Sequence, residues 1–389
     1  MTKERVLVAM SGGVDSSVAA ALLVEQGYDV VGATMKLFCY GDEVPDRPCC
    51  SLDSINDARR VCETLGVPHY VLNLEDAFGH DVVDDFVSEY SRGRTPIPCV
   101  RCNTFTKFRD LVRKADAIDA QYVATGHYAR MIDGALHRGL DPAKDQSYFM
   151  WGINAGVLPR MLLPVGHQTK AETRAVARRI GLNTADKVES QDICFVPDGD
   201  HTKIIRKKLG DSAPALSRGP FVLSSGEVIG EHEGYARFTI GQRRGLPGGF
   251  PEAMYVVAIR PADRTVVVGP KAELLGMGLT VREVNWLVAA DKQCRDRGRQ
   301  TADRSFAPGA DNDCTSRFSV QIRHHAAPAN AEIIRDEGGE IELALDEPIS
   351  AITPGQSAVF YDGDKVLGGG IIEAARDAGV RVPLPILAA

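Results

Sequence analysis

Residues Val6-Leu-Val-Ala-Met-Ser-Gly-Gly-Val-Asp-Ser-Ser17 contain the turn that decides how this chain is read. An apolar strand runs into Ser11-Gly12-Gly13-Val14-Asp15-Ser16-Ser17, and an apolar helix follows from about Val18 to Val24. Gly12 and Gly13 let the backbone turn sharply and approach a ligand closely. The amides that open the helix, the helix dipole and the hydroxyls of Ser11, Ser16 and Ser17 all favour an anion. The pattern predicts a phosphate-cradling loop. It lacks the Lys-Ser/Thr ending of a Walker A loop. The alternative is a plain Ser/Gly turn, yet glycines, hydroxyls, strand and helix fall in the order a phosphate site needs.

Outward from this loop, strand and helix patterns alternate to about residue 205. Strand 5–10 and helix 15–25 are followed by strand 29–35, a loop through Pro48, a helix from Ser54 to Leu65 and strand 69–74. Helices are expected over roughly 79–91 and 104–115, then a strand at Tyr122-Val-Ala-Thr-Gly126. Thr169 with Glu172 reads as a capping box, and Gly181 as the stop of that helix. This alternation predicts an α/β fold with a doubly wound parallel sheet, whose ligands bind at the carboxyl ends of the strands. After about 210 the chain becomes β-rich, at Phe221-Val-Leu223, Tyr255–Ile259, Thr265–Val268, Arg317–Arg323 and Ala358–Tyr361. Turn signals separate these stretches, which predicts a small sheet domain and then a β-barrel. The expected division is 1–208, 209–275 and 276–389, with polar residues 289–316 as a loop or insertion in the last part.

The 389 residues carry 44% hydrophobic residues and no apolar run of membrane-spanning length, so a globular protein is expected. The first strand begins almost at Met1, with no signal peptide pattern, which predicts a cytoplasmic location. Nine cysteines in such a chain argue for reduced thiols rather than a disulfide framework. A net charge of −7 weighs against non-specific nucleic-acid binding but leaves room for a local basic face. From Arg92 to Lys114 the basic residues are Arg92, Arg94, Arg101, Lys107, Arg109, Arg113 and Lys114 against Asp110. Lys203, Arg206, Lys207 and Lys208 form a second run. Either run reads equally as a solvated helix face.

Two cysteine sites stand out. Cys99 and Cys102 lie in Arg94-Thr-Pro-Ile-Pro-Cys-Val-Arg-Cys-Asn103, ahead of a basic helix, and Cys194 lies in Glu189-Ser-Gln-Asp-Ile-Cys-Phe-Val196. A thiol near Arg101, Lys107 and a helix N-terminus gains thiolate character. Two such thiols suit sulfur transfer, one carrying a persulfide and the other resolving it. A redox pair or a metal site at Cys99–Cys102 is the competing reading. Cys62, at a helical core spacing, reads as packing. Cys39, Cys294 and Cys314 carry no supporting motif.

The loop resembles the PP-loop of the ATP pyrophosphatases, which split ATP into AMP and pyrophosphate and so adenylate an oxygen. Nearly the whole chain is similar to the bacterial tRNA-uridine 2-sulfurtransferase, or 2-thiouridylase, family. The matching segments are Met10–Ser17, Gly93-Arg-Thr-Pro96 with Cys102-Asn103, Ala124–Tyr128, Lys144–Phe149, Ser190–Phe195, Phe238–Leu246 and Pro354-Gly-Gln356. The resemblance implies ATP with Mg²⁺ at Ala9, Met10, Ser11, Gly12, Gly13, Val14, Asp15 and Ser16, at the Met35 backbone and at Gly126. It implies Cys102 as nucleophile and Cys194 as persulfide carrier, the two closing a disulfide during the reaction. It implies tRNA contacts at Ile97, Pro98, Cys99, His127, Lys144, Asp145, Gln146, Arg323, His324 and Gln356, with Arg243 and Arg244 on phosphates. The expected partners are tRNA and a cysteine desulfurase or relay protein that donates the persulfide, with no membrane and a monomeric chain.

One departure stands out. Many members have Asn-Pro-Asp where this chain has Ile97-Pro98-Cys99. Cys99 cannot replace an Asp in proton transfer. It opens a second reading, an iron–sulfur cluster on Cys99, Cys102 and Cys194. Two further alternatives are a PP-loop enzyme acting on a small molecule, and a non-catalytic tRNA-binding or sulfur-carrier protein.

Overall fold

The computed structural model describes residues 3–38, 52–188, 193–288 and 317–376. Cys39, Cys49, Cys50, Cys294, Cys314, Ser190–Asp192 and the stretch 289–316 lie outside them. Among the described residues no helix is long and apolar enough to cross a membrane.

The N-terminal sheet is parallel. It contains β1 (Arg5–Ala9), β2 (Asp29–Lys36), β3 (His69–Asn73), β4 (Tyr122–Ala124) and, after a hairpin described below, β7 (Met161–Leu162). Their order is β3-β2-β1-β4-β7. Val6, Leu7 and Val8 are buried on both faces of β1, as the unbroken apolar run requires of a covered parallel strand. Helix α1 (Val14–Glu25) is buried on most sides by Val14, Val18, Ala19, Ala20, Ala21 and Leu23. Helix α2 (Leu52–Leu65) packs beside it through Ile55, Ala58, Val61 and Cys62. The strand order reverses between β1 and β4, and that reversal opens the crevice where ligands of such sheets bind.

The opposite face is covered by two irregular helices. In α3, Glu75–Phe78, a wide π turn at Gly79–Val83 and Asp84–Ser91 follow one another. In α4, Pro98–Arg101, a wide π turn at Cys102–Lys107 and Phe108–Asp116 do the same. The helix expected at about 104 therefore begins six residues earlier, at Pro98. Proline is pre-organised for the first helical position, and Ile97 before it is extended (φ −114°). Cys99 and Cys102 lie within the first turns of this helix rather than ahead of it.

The hairpin of β5 (Ala129–Ile132) and β6 (Ala135–Arg138) was not expected from the strand–helix alternation. Its turn has positive φ at Asp133 (50°) and Gly134 (76°), the signature of a type I′ turn. The capping box does form: the Thr169 amide donates to Glu172 Oε2 at 2.7 Å and the Glu172 amide to Thr169 Oγ1 at 3.3 Å. It starts α5 (Lys170–Ile180), which stops at left-handed Gly181. Helix α6 (Thr202–Leu209) ends the α/β part.

A four-stranded sheet follows: β8 (Gly219–Leu223), β9 (Val228–His232), β10 (Met254–Arg260) and β11 (Thr265–Pro270), in the order β10-β11-β8-β9. The last six strands are β12 (Leu275–Trp286), β13 (Arg317–Gln321), β14 (Ala329–Glu337), β15 (Glu340–Ser350), β16 (Ser357–Asp362) and β17 (Lys365–Arg376). Pairing of β12 with β17 closes them into a barrel around Leu279, Val281, Phe318, Val320, Leu343, Phe360 and Ile372. The β5–β6 hairpin joins this sheet through His137 and Lys365, with the Arg138 amide donating to the Asp364 carbonyl at 2.8 Å.

A charged network closes the seam between α3 and the barrel. Glu89 is buried beside Arg94 (2.8 Å) and Arg282 (3.1 Å), and both arginines also reach Glu373, at 2.7 and 2.8 Å. Arg94 Nε and Glu89 Oε2 are close but misaligned for a hydrogen bond, so their attraction is that of an ion pair.

Candidate active site

The phosphate loop lies at the carboxyl end of β1 and is braced by its own hydroxyls. Ser16 Oγ accepts from the Ser11 amide at 3.1 Å, and Ser17 Oγ donates to the Gly13 carbonyl at 2.8 Å. Gly12 has φ +69°, and a side chain there would overlap the Ser54 carbonyl at the start of α2. Gly126, at the end of β4, is equally crowded: a Cβ would lie 2.5 Å from the Ser16 amide. The two ends of the crevice therefore meet at Asp15–Ser16 and Gly126, with only backbone between them. Met10 is tied to β2 by its amide, which donates to the Ala33 carbonyl at 2.8 Å. Met35 is the penultimate residue of the neighbouring β2.

Two lysines that the sequence reading did not single out converge on this loop. Lys170, the first residue of α5, places Nζ 2.8 and 2.9 Å from the Asp15 carboxylate oxygens, and Tyr128 Oη lies 2.9 Å from Asp15 Oδ1. Lys187 Nζ donates to the Gly12 carbonyl at 3.0 Å and to Asp57 at 2.7 Å. Arg174 fixes the Lys187 backbone by donating to the carbonyls of Ala185 (2.6 Å) and Lys187 (3.0 Å). Lys187 is 175 residues from Gly12, so no local spacing could have announced the contact.

Cys102 is buried in the wide turn of α4, while Cys99 is exposed on its first turn. Cys102 belongs to the apolar cluster that includes Phe78, Phe86 and Phe195, and half-buried Cys194 packs against the same cluster. Cys62 is core packing under the sheet, and burial pushes its thiol up to about 11. Among the described residues no three His, Cys, Asp or Glu side chains are arranged to hold a metal ion. Cys99, Cys102 and Cys194 are thus not preassembled for a cluster.

The remaining expected site residues fall into groups. His127 follows Gly126, shares a 2.7 Å hydrogen bond with Thr125 Oγ1, and lies 6.0 Å from the Phe108 ring of α4. Burial, reinforced by Lys107, holds its imidazole down to about 3, so it is neutral at physiological pH. Ile97, Pro98 and Cys99 follow Thr95, which joins three parts of the chain. Its amide donates to Pro354, its carbonyl accepts from Gln356 Nε2 at 2.8 Å, and its hydroxyl donates to Thr239 at 3.1 Å. Gln146 Oε1 accepts from the Tyr128 amide at 3.0 Å. Asp145 is buried, and its carboxylate takes bonds from Arg138, the amides of Gly139 and Ser147, and the Ser147 hydroxyl. His324 Nε2 is 3.1 Å from the Asp145 carbonyl, beside Lys144, while Arg323 is exposed. Arg243 and Arg244 are exposed in the stretch between β9 and β10.

The basic runs are largely neutralised. Arg92, Arg94, Arg101, Arg109 and Arg113 all pair with carboxylates. Arg101 turns to Asp85 (3.0 Å) and Glu283 (2.6 Å). Lys203, Arg206 and Lys208 pair with Asp198, Asp211 and Asp84.

Comparison with known proteins gives the same organisation. Models described as the tRNA methyl transferase HUP domain, PRC-barrel domain and Aminomethyltransferase beta-barrel domain match residues 4–198, 207–270 and 277–372. The tRNA-specific 2-thiouridylase MnmA of Geobacter metallireducens is 44% identical over 97% of this chain and 99% of its own length. That of Rhodospirillum centenum is 46% identical over 98% and 95%. The chain belongs to the tRNA-specific 2-thiouridylase family. Within that family frame, the fold is a PP-loop sheet domain, a PRC-barrel domain and a closed six-stranded barrel. Among solved structures, a 4-thiouridine synthetase–RNA complex with bound ATP is 16% identical, with TM-score 0.34, over 54% of this chain and 51% of that one.

Proposed function

We propose that this chain replaces the C2 oxygen of the tRNA wobble uridine with sulfur, using ATP and a persulfide. Uridine O2 attacks the α-phosphate, the bond to the β-phosphate breaks, and pyrophosphate leaves. The terminal sulfur of a Cys194 persulfide then attacks C2, and AMP departs with the former O2. The Cys102 thiolate attacks Cys194 Sγ, which releases thiouridine and closes a Cys102–Cys194 disulfide. An external thiol reductant reopens it. The loop amides, Lys170 and Lys187 supply positive charge beside the developing phosphate charge. Mg²⁺ bound with the nucleotide would supply further charge neutralisation, and Asp15, once released from Lys170, is the loop carboxylate that would hold it. An anticodon loop is already single-stranded, so extruding the target base costs little.

The observation that carries this reading is the shared packing of Cys102 and Cys194 on the apolar cluster that joins the PP-loop sheet to the four-stranded sheet after it. The ATP-site residues, the tRNA contacts and the division at about 208 and 275 belong to the same proposal. So do a cytoplasmic monomer and loading by a cysteine desulfurase or relay protein. The convergence that a cluster on Cys99, Cys102 and Cys194 would need is absent among the described residues, so no step uses one. The test is incubation of tRNA with ATP, Mg²⁺ and a persulfide donor, comparing wild type with Cys102→Ser and Cys194→Ser. Thiolated uridine should form only in wild type. Equal product in all three would refute the mechanism, and activity without RNA would point to a small-molecule substrate.

A further inference from the structure

A cavity of about 730 Å³ lies on the far side of α4, between that helix, residues 151–157 and barrel strands β12 and β17. Apart from Phe108, whose ring lies against His127, its lining residues stand outside the phosphate loop and the cysteine pair. Its helical wall carries Arg101, Phe105, Arg109 and Arg113, each four residues after the last. On a regular α-helix, four-residue steps drift by about 40° each and spiral away. The wide turn at Cys102–Lys107 lags behind α-helical rotation and offsets that drift, so the four face one cavity. The same turn leaves Cys102 buried against the sheet-side cluster.

The wall is chemically specific. Phe105 is 38% exposed on an otherwise basic helix face, with the Arg101 guanidinium 5.5 Å from its ring centroid. Arg109 pairs with Asp81 and Asp110, Arg113 is 76% exposed with Asp110 3.5 Å away, Glu283 holds Arg101, and Val100, Phe108, Val112 and Trp151 contribute apolar surface. Opposite them, Asn285 donates both amide hydrogens to the Trp151 and Ile153 carbonyls (2.7 and 2.9 Å), which leaves Oδ1 to accept a further bond. A flat ring to stack on Phe105, an anionic group for the outer arginines and a base edge for Asn285 describe a nucleotide. The volume suits a ligand of that size.

We propose that this cavity binds one nucleotide, and that its source is the RNA substrate, held at an unpaired base beyond the uridine being modified. The choice of RNA rests on the proposed function; the nucleotide chemistry does not. Phe105 acts here as a binding residue, outside the sulfur-transfer machinery.

The test measures binding, so it is independent of turnover. The full-length protein, its phosphate loop saturated with a non-hydrolysable ATP analogue, is titrated with an anticodon stem-loop RNA and, separately, with AMP. Phe105→Ala, Phe105→Trp and Arg113→Ala are compared with wild type, with thermal melts to verify folding. Stacking on one base predicts that Phe105→Ala weakens stem-loop binding about tenfold and that Phe105→Trp restores it. Arg113→Ala should lower the slope of log K against log salt by about 0.7, one single-strand phosphate contact. If Phe105→Ala weakens AMP and leaves the stem-loop unchanged, the nucleotide site stands and its RNA source is overturned. Unchanged binding of both overturns the site itself. Loss of thiolation in every assay with intact RNA binding would instead refute the proposed reaction.

Discussion

Replacing Glu89 with Gln keeps the shape of a side chain that is 5% exposed and removes its charge. Two shielded guanidinium groups sit against it, on Arg94 (11% exposed) and Arg282 (23% exposed), and exposed Arg92 lies 3.7 Å away. Removing one partner of a fully buried ion pair costs about 3–5 kcal/mol, because the other charge stays desolvated. Here both arginines keep Glu373, and Arg94 also keeps its bond to the Ile372 carbonyl at 3.0 Å. The remaining loss is then about 2–3 kcal/mol, which lowers the melting midpoint by roughly 4–8 °C. Urea unfolding followed by tryptophan fluorescence measures it, since Trp151 and Trp286 both lie at the barrel and are the only tryptophans in the chain. The loss should persist at high salt, because ions screen a buried seam poorly. A Glu89→Gln protein within about 0.5 kcal/mol of wild type would show that the network carries no more than surface ion pairs do.

Gly12→Ala places a side chain against the Ser54 carbonyl at φ +69°, so ATP binding should be lost together with about 2–4 kcal/mol of stability, measured by nucleotide titration and urea melts. Lys170→Met leaves Asp15 without its cation, and KM for ATP should rise about tenfold while alkylation of the cysteines is unchanged. His127 titrates at about 3 in the folded chain and at 6.5 when unfolded. Between these values only the unfolded chain binds the proton, so its contribution to stability is full above pH 6.5 and is lost as pH falls toward 3. His127→Asn should flatten that part of a stability–pH curve; an unchanged slope would place the acid sensitivity elsewhere.

The strand–loop–helix unit at Ser11–Ser17 was legible because its signals are local: glycines, hydroxyls and a strand–helix junction in fixed order. Cys62 was legible for the same reason, from a helical period. Pro98 was a readable start signal for α4, and Asp133-Gly134 a readable hairpin turn, but strand–helix alternation alone passed over both. Lys170 and Lys187 were not readable, since their value depends on partners 155 and 175 residues away. The basic runs read too positive for the same reason. Arg101 meets Glu283 and Arg94 meets Glu373 only after the barrel has docked.

The β5–β6 hairpin belongs by sequence to the first half of the chain and by hydrogen bonding to the last sheet. It covers the start of β17, where β12 no longer pairs. A barrel cut out of this chain would expose that stretch of backbone, an edge ready to recruit a stray strand. The two halves therefore cannot be exchanged as independent cassettes. A fusion that swaps the barrel must carry residues 129–138 with it, or supply another strand to guard the margin.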